Sequence, residues 1–386
     1  MELTTDQRDL HDAVHGLLTR HQGPGRAGPG PAGDPGAGDE HGYDLPLWQR
    51  LCAEIGVAGL AIPERYGGAG AGPVETCLVM EELGRGLVPS PMLGSAVLAG
   101  QALLASGDDE ACRRLLPGIA SGATVAALAW APRDGHWDPA GPAFAARPGG
   151  PNAWALTGEA HHVLDGDTAG VLLAAALAPD GSALFEVDPG QDTVTRHAVT
   201  AMDTTRRLAV IGLDKVPGRR LAPGPGAEAL AQARDLACIA LSAEQAGAAQ
   251  RALELTVAYT KVRVQFGRAI GGFQTLQHRM ADLHVLVESA RSLCYAAAFA
   301  AADVAGETVD PAGDPVRISL LAAAAKAHCS HALTRAAAEM IQMHGAIGIT
   351  WEHDAHRYFK RAHGAAQLFG RPDEHIARVA AALIDG

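Results

Sequence analysis

Arg263-Val264-Gln265-Phe266-Gly267, followed by Phe273-Gln274, Gln277 and Ala281-Asp282, is the stretch on which the reading of this chain turns. Apolar residues recur at helical spacing from Ala227 to Val262 and again from Gly272 to Gly306, so the cation, the amides and the glycine break fall between two long helices. A guanidinium and backbone polar groups at a helix junction can receive an anionic ligand without a P-loop. A third periodic stretch, Pro315 to His344, completes a set whose economical arrangement is an antiparallel bundle. It runs into Gln342-Met343-His344-Gly345-Ala346-Ile347-Gly348, where Gly345 reads most simply as a helix C-cap.

Composition narrows the possibilities. A chain of 386 residues is long enough for two or three domains. Hydrophobic residues make up 48% and aromatics only 4%, with alanine dominant, which favours close-packed helices over a β-sandwich. The net charge of −12 argues against a nucleic-acid partner, which needs clustered Lys and Arg. The six cysteines are scattered with no C-x-x-C pair, so reduced, buried thiols and no metal are expected. The N-terminus has no basic region leading into an apolar run, and stretches such as Val171–Ala178 are too short to span a bilayer. A cytoplasmic protein without membrane contact is the expectation.

Three regions are expected along the chain. Residues 1–122 read as an N-terminal helical domain: a first helix behind a Thr4/Thr5 cap, then Pro46–Ile55, Val74–Gly84, Pro91–Ala105 and Asp109–Ile119. Within it, 23–42 is crowded with Gly and Pro and reads as a flexible loop. Its two G-x-G-x-x-G matches follow no strand and are broken by prolines, so they carry no dinucleotide reading. Residues 123–224 lose the helical period and hold short runs, Ala153–Thr157, Val171–Ala176, Ala183–Val187 and Leu208–Leu213, between turns, as a small β-barrel domain would. Residues 225–386 are the helical bundle. The fold class is therefore mostly α with a β-domain in the middle.

Tyr259 through Asp282, the Gln342–Gly348 segment, Ile62-Pro63-Glu64-Arg65-Tyr66-Gly67-Gly68, Met80–Arg85 and Met202–Arg207 together resemble the acyl-CoA dehydrogenase flavoprotein family in order and spacing. The resemblance covers nearly the whole chain and implies an N-terminal helical domain, a middle β-barrel, a C-terminal four-helix bundle and a dimer-of-dimers tetramer. It implies FAD, held by Arg263, Gln265, Phe266, Gln274, Gln342, Gly345 and Gly348. By that resemblance Arg263, Gln265 and Phe266 would come from one chain, with Gln342 and the Gly345–Gly348 backbone from its neighbour; the glycines would let amides approach a pyrophosphate. The family's flavin-contacting Thr-Glu-Pro and Trp-Ile-Thr are replaced by Ala131-Pro132-Arg133 and Val163-Leu164-Asp165.

The implied reaction is α,β-dehydrogenation of an acyl-CoA or acyl-carrier thioester, with a carboxylate as base and a flavin as hydride acceptor. Both positions the family uses for that carboxylate lack one. Aligning Arg361-Ala362 puts Phe369 at the usual place, and counting back from Arg263 puts Ala237 at the alternative one. Glu244 returns to the face of Ala237 but about 10 Å along the helix; Asp235 points about 200° away. Glu352, Asp373 and Glu374 read as helix-end charges, and His161, His162 and His278 as packing or surface residues. The catalytic residue is thus unassigned. The chain is expected to act alone or as one subunit of a heteromeric dehydrogenase, with the electron acceptor open. A same-fold flavoenzyme of diverged chemistry (oxygenation or N-oxidation) and a non-catalytic scaffold are the other readings. Restoring an acid by Phe369→Glu is expected to raise activity.

Overall fold

The computed structural model describes residues 3–22, 41–150, 153–221, 226–305 and 315–385, so the expectation for 23–42 falls almost wholly outside them. Helix α1 (Thr5–Gln22) starts with a reciprocal cap: Gln7 N donates to Thr4 Oγ1 (3.2 Å) and Thr4 N to Gln7 Oε1 (3.0 Å). Next come α2 (Leu45–Arg50), α3 (Pro73–Arg85), α4 (Gly100–Ala105) and α5 (Asp109–Ala120). Asp44 and Asp108 accept from Leu47 N (2.8 Å) and Ala111 N (2.9 Å) to start α2 and α5. Two expected α-helices are only partly so, since Leu51–Ile55 and Met92–Ala99 wind as wider π turns. In the second, Ser95 Oγ reaches out to accept from Ala126 N (2.8 Å), tying the turn to the β-domain.

Strands β1 (Ala126–Ala129), β2 (Phe144–Gly150), β3 (Ala153–Leu164), β4 (Val171–Ala178), β5 (Gly181–Val187), β6 (Val194–Val199) and β7 (Leu208–Arg220) make one sheet in the order β1-β4-β2-β3-β7-β5. Because β5 also pairs with β4, the sheet closes on itself into a small barrel, with β6 added on β7. Phe144, Phe185, Ile211 and Val216 fill it. The sequence reading passed over β1, β2 and β6. Strand β1 is Ala-Ala-Leu-Ala, buried at every position, so it has neither alternation nor β-branched residues to mark it. Strand β3 runs past its expected end at Thr157 because a register shift between Ala160 and Val163, with His162 at φ +56°, lets it bend and keep pairing with β7.

After α6 (Gly226–Val262), the two-residue strands β8 (Val264–Gln265) and β9 (Arg268–Ala269) form a hairpin. Helices α7 (Gln274–Ala305), α8 (Pro315–His344), α9 (Ala355–Gln367) and α10 (Pro372–Asp385) complete the chain. The long helices α6, α7 and α8 form the bundle, with α9 and α10 packed on α8. All six cysteines are free and buried. Among the described residues one stretch, Gln274–Asp303, is long and apolar enough to cross a membrane by length and composition, but it packs here as a bundle helix.

Helix α3 joins the N-terminal helices to the bundle. A Cβ at Gly84 would lie 2.0 Å from the Glu244 carbonyl oxygen, and one at Gly247 would lie 2.0 Å from that of Glu81. Only glycines allow α3 and α6 to touch backbone to backbone here. Helix α1 is fastened to α3 electrostatically: His11 Nε2 and His15 Nδ1 meet the two oxygens of Glu82 at 3.1 and 2.7 Å. The Glu82 hydrogen bond outweighs burial and, with Asp12 and Glu81, holds His11 up to about 9. A raised folded-state value means the stabilisation is complete below the ordinary value of 6.5 and is lost as pH rises through about 9. Proteolysis or hydrogen exchange within 5–22 should therefore speed up between pH 7 and 10 in the parent, beyond the intrinsic pH trend seen in a His11→Ala variant.

Candidate functional site

The β8–β9 hairpin turns through Phe266 and Gly267, both left-handed at φ +51° and +78°. That is the mirror-image turn a two-residue hairpin favours, and Asn or Gly would be the unstrained choice at its first position. Phenylalanine there is held out in solvent, 92% exposed, with its ring edge-on to Phe273 at 6.1 Å. Behind it lies a cleft of about 390 Å³ walled by Gln265, Phe266, Phe273, Arg279, Gln342 and Met343. Arg279 is engaged with Glu339. Arg263 is exposed and, among the described residues, pairs with no carboxylate.

Gln265, Phe266 and Gln342 thus line one cleft of a single chain, whereas the sequence reading divided them between neighbours. The reason is that α6 and α8 are antiparallel neighbours of α7, so the end of one and the end of the other reach the same side of the bundle through the hairpin. Gln274 is exposed at the start of α7 and does not line the cleft. The two glycines serve the chain itself. Gly345, at φ +64° with open space around it, ends α8; at Gly348 a Cβ would press on Ile341 and His344 at 3.2–3.3 Å. The segment is backed by Tyr259 stacked on His344 (4.2 Å) and His344 against His353 (4.2 Å), burial lowering both imidazole pKa values. An outward aromatic, side-chain amides and an uncompensated guanidinium fit the nucleotide and phosphate half of FAD.

The barrel side is different. Phe369 is fully buried, with φ +61°, its ring edge-on to Trp137 at 5.0 Å and Trp137 in turn edge-on to the buried Trp130 at 5.5 Å. His375 Nε2 donates to the Phe369 carbonyl (3.1 Å), and burial together with Lys326 and Arg378 pulls that imidazole down to about 3, keeping it neutral. Ala237 is also fully buried. An aromatic stack therefore occupies the position where an acid was sought. Phe369 belongs to the core, so an acid introduced by Phe369→Glu, expected from the sequence to restore the missing base, would be placed among buried aromatic rings. Trp130 and Trp137 escaped the sequence reading because no spacing pattern links 130, 137 and 369.

Glu244 is not a free base. Its carboxylate is buried and accepts from Arg206 Nη2 (2.5 Å) and Arg361 Nη1 (3.0 Å). Arg361 Nη2 also donates to the Thr205 carbonyl (3.2 Å), so the 202–207 loop, α6 and α9 meet at this carboxylate. Asp165, beside it in a void of about 20 Å³, is different: buried outside any ion pair among the described residues, at φ +53°, and pushed by burial up to about 7. No pattern in the sequence marked it as titratable near neutrality. Asp235 pairs with Arg378 (3.2 Å) and Arg234 (3.4 Å). Glu352 and Asp373 are exposed, and Glu374 accepts from Arg371 N (2.9 Å) at the start of α10. His161 bonds Glu159 (2.8 Å) and His278 is exposed. Among the described residues no group of His, Cys, Asp and Glu could hold a metal.

Comparison with known proteins adds the following. Residues 4–123 match the model of the acyl-CoA dehydrogenase N-terminal domain, and residues 224–384 that of the C-terminal domain. The chain is 38% identical over 378 residues to acyl-CoA dehydrogenase IpdE2 of Mycobacterium tuberculosis, covering 97% of this chain and 96% of the relative. Among solved structures it superposes on the Tcur3481-Tcur3483 steroid ACAD with a TM-score of 0.83 at 29% identity, covering 99% and 98% of the two chains. It also superposes on the ChsE4-ChsE5 complex from Mycobacterium tuberculosis with a TM-score of 0.84 at 26% identity, covering 100% and 99%.

Proposed function

From the premise that the chain belongs to the acyl-CoA dehydrogenase family, we propose that it is the FAD-sharing, base-lacking subunit of a heteromeric dehydrogenase acting on an acyl-CoA or related thioester in the cytoplasm. The observation that carries this is the pair of fully buried apolar side chains, Phe369 and Ala237, at both positions where the family places its carboxylate. FAD is the family's cofactor and, when bound, supplies the hydride acceptor. This chain's contribution is to hold the nucleotide end: Arg263 neutralises phosphate charge, Phe266 offers a stacking face, and Gln265 and Gln342 orient by hydrogen bonds. The α-proton is taken by a carboxylate of the second subunit. Similarity to the Tcur3481-Tcur3483 steroid ACAD and to the ChsE4-ChsE5 complex, both two-component by name, supports the heteromeric form.

The test is purification of the chain alone and after co-expression with an acyl-CoA dehydrogenase subunit that keeps the family glutamate, measuring flavin absorbance and acyl-CoA oxidation with an artificial acceptor. Flavin and turnover are expected together only in the mixed complex. Loss of a general base typically costs about 10²–10⁴ in rate, so a homomer that oxidises a saturated acyl-CoA at ordinary rates would overturn the proposal. In the complex, Arg263→Ala should weaken FAD binding by roughly 10- to 150-fold, the 1.5–3 kcal/mol of a charge-assisted hydrogen bond; undiminished flavin occupancy on dilution would remove Arg263 from the site.

A further inference from the structure

Two buried thiols from distant parts of the chain converge on one atom. Cys77 on α3 and Cys294 on α7 both donate to the Ile239 carbonyl of α6, at 3.9 and 3.6 Å, and neither is more than 1% exposed. They are also hydrogen-bonded to each other. A carbonyl oxygen has two lone pairs and can receive both, but a thiol is a weak donor, so neither side chain is held firmly. Cys112, Cys238 and Cys329 instead each bond a carbonyl of their own, those of Leu103, Phe369 and Ala290. A disulfide needs its sulfurs about 2.0 Å apart, so two thiols already in contact have only to close by roughly 2 Å. Access differs between the two. Cys77, with Met92, Ala96 and Ile239, walls a cavity of about 880 Å³ between α3, the Met92–Ala99 turns and α6, whereas Cys294 does not line it. Apolar walls of this kind admit a small neutral oxidant and penalise a charged one. The bond to Cys77, ahead of burial, raises the Cys294 pKa well above the ordinary thiol range, so Cys294 stays protonated until its neighbour has reacted.

We propose that Cys77 and Cys294 are a redox pair, which hydrogen peroxide oxidises to a reversible disulfide joining α3 to α7. The Cys77 sulfur attacks the peroxide: an S–O bond forms, the O–O bond breaks, and the thiol proton leaves with the released oxygen as water. The Cys294 sulfur then displaces the hydroxyl from the Cys77 sulfenic acid: the S–S bond forms, the S–O bond breaks, and the Cys294 proton leaves in the second water. Two thiols are oxidised by two electrons and one peroxide is reduced to two waters. The bond would staple the N-terminal helices to the bundle, and in a reducing compartment it would be transient, a report of oxidation. The pair does not depend on the function proposed above.

Exposure of the reduced full-length chain to hydrogen peroxide, followed by peptide mass spectrometry without reductant, tests it. A Cys77–Cys294 cross-linked peptide is expected, formed at least about tenfold faster than a link between any other cysteines and lost on adding dithiothreitol. In the cross-linked form amide exchange within 73–85 should slow by about tenfold or more and recover on reduction. Cys77→Ala and Cys294→Ala should each abolish the product and the change in exchange. A folded chain that yields no such peptide, a Cys294–Cys329 link in its place, a Cys77 sulfinic acid without a cross-link, a link that forms only after urea unfolding, or unchanged exchange would each overturn the proposal. Should the variants fail to fold, the peptides of the parent decide by themselves.

Discussion

Glu244→Ala is expected to remove about 3–5 kcal/mol of folding stability, because it leaves the Arg206 and Arg361 guanidiniums buried without their shared carboxylate. Both arginine side chains are under 10% exposed, so water cannot take the carboxylate's place. Chemical denaturation should detect the loss directly. Glu244→Gln keeps a carbonyl acceptor for one arginine and should cost less, yet still destabilise, since the charge is gone. These variants also separate structure from catalysis. If Glu244 were the missing base, Glu244→Gln would abolish turnover of the loaded complex while stability held, and the ion-pair geometry would have to be read differently.

Phe369→Glu is the second large effect. The substitution removes a fully buried ring that packs on Trp137 and places a carboxylate in the same space. Truncating a buried Phe alone costs about 3–5 kcal/mol, and an unpaired acid adds a desolvation penalty. The variant should lose at least about 3 kcal/mol and gain no dehydrogenase activity as a homomer. A rise of about 10²-fold or more, the scale of working general-base catalysis, would show that the aromatic stack opens readily and that this chain needs only an acid to act alone.

The sequence carried the helical parts well. Pro315–His344 was bounded to the residue, because thirty residues of apolar period bracketed by a proline and Gly345 leave little choice. Gln265, Phe266 and Gln342, singled out in the sequence, line a cleft at the bundle end, where long helices stop, and stops are local signals. What stayed hidden was contact between distant residues. Arg206, Glu244 and Arg361 are separated by 38 and 117 positions, and no periodicity connects them. Asp165 looked like any turn aspartate, and its titration near neutrality is created by burial. Strand β1 was invisible because its composition is that of a helix and its pairing with β4 is decided 45 residues later, at Val171. Local chemistry is written in order along the chain; electrostatic environment is written across it.

The two glycines where α3 meets α6 have a consequence for motion. Gly84 presses on the backbone of Glu244 and Gly247 on that of Glu81, so the contacts are reciprocal and oppose sliding in either direction. Two helices notched into each other in this way cannot ratchet past one another by a turn without driving backbone through backbone. Any breathing that admits a substrate or a partner must therefore leave α3 and α6 as one beam and bend elsewhere, where the barrel is strapped on by side chains: Ser95 to Ala126 on one flank, and Glu244 with Arg206 on the other. Straps of that kind can loosen one at a time; a notch cannot.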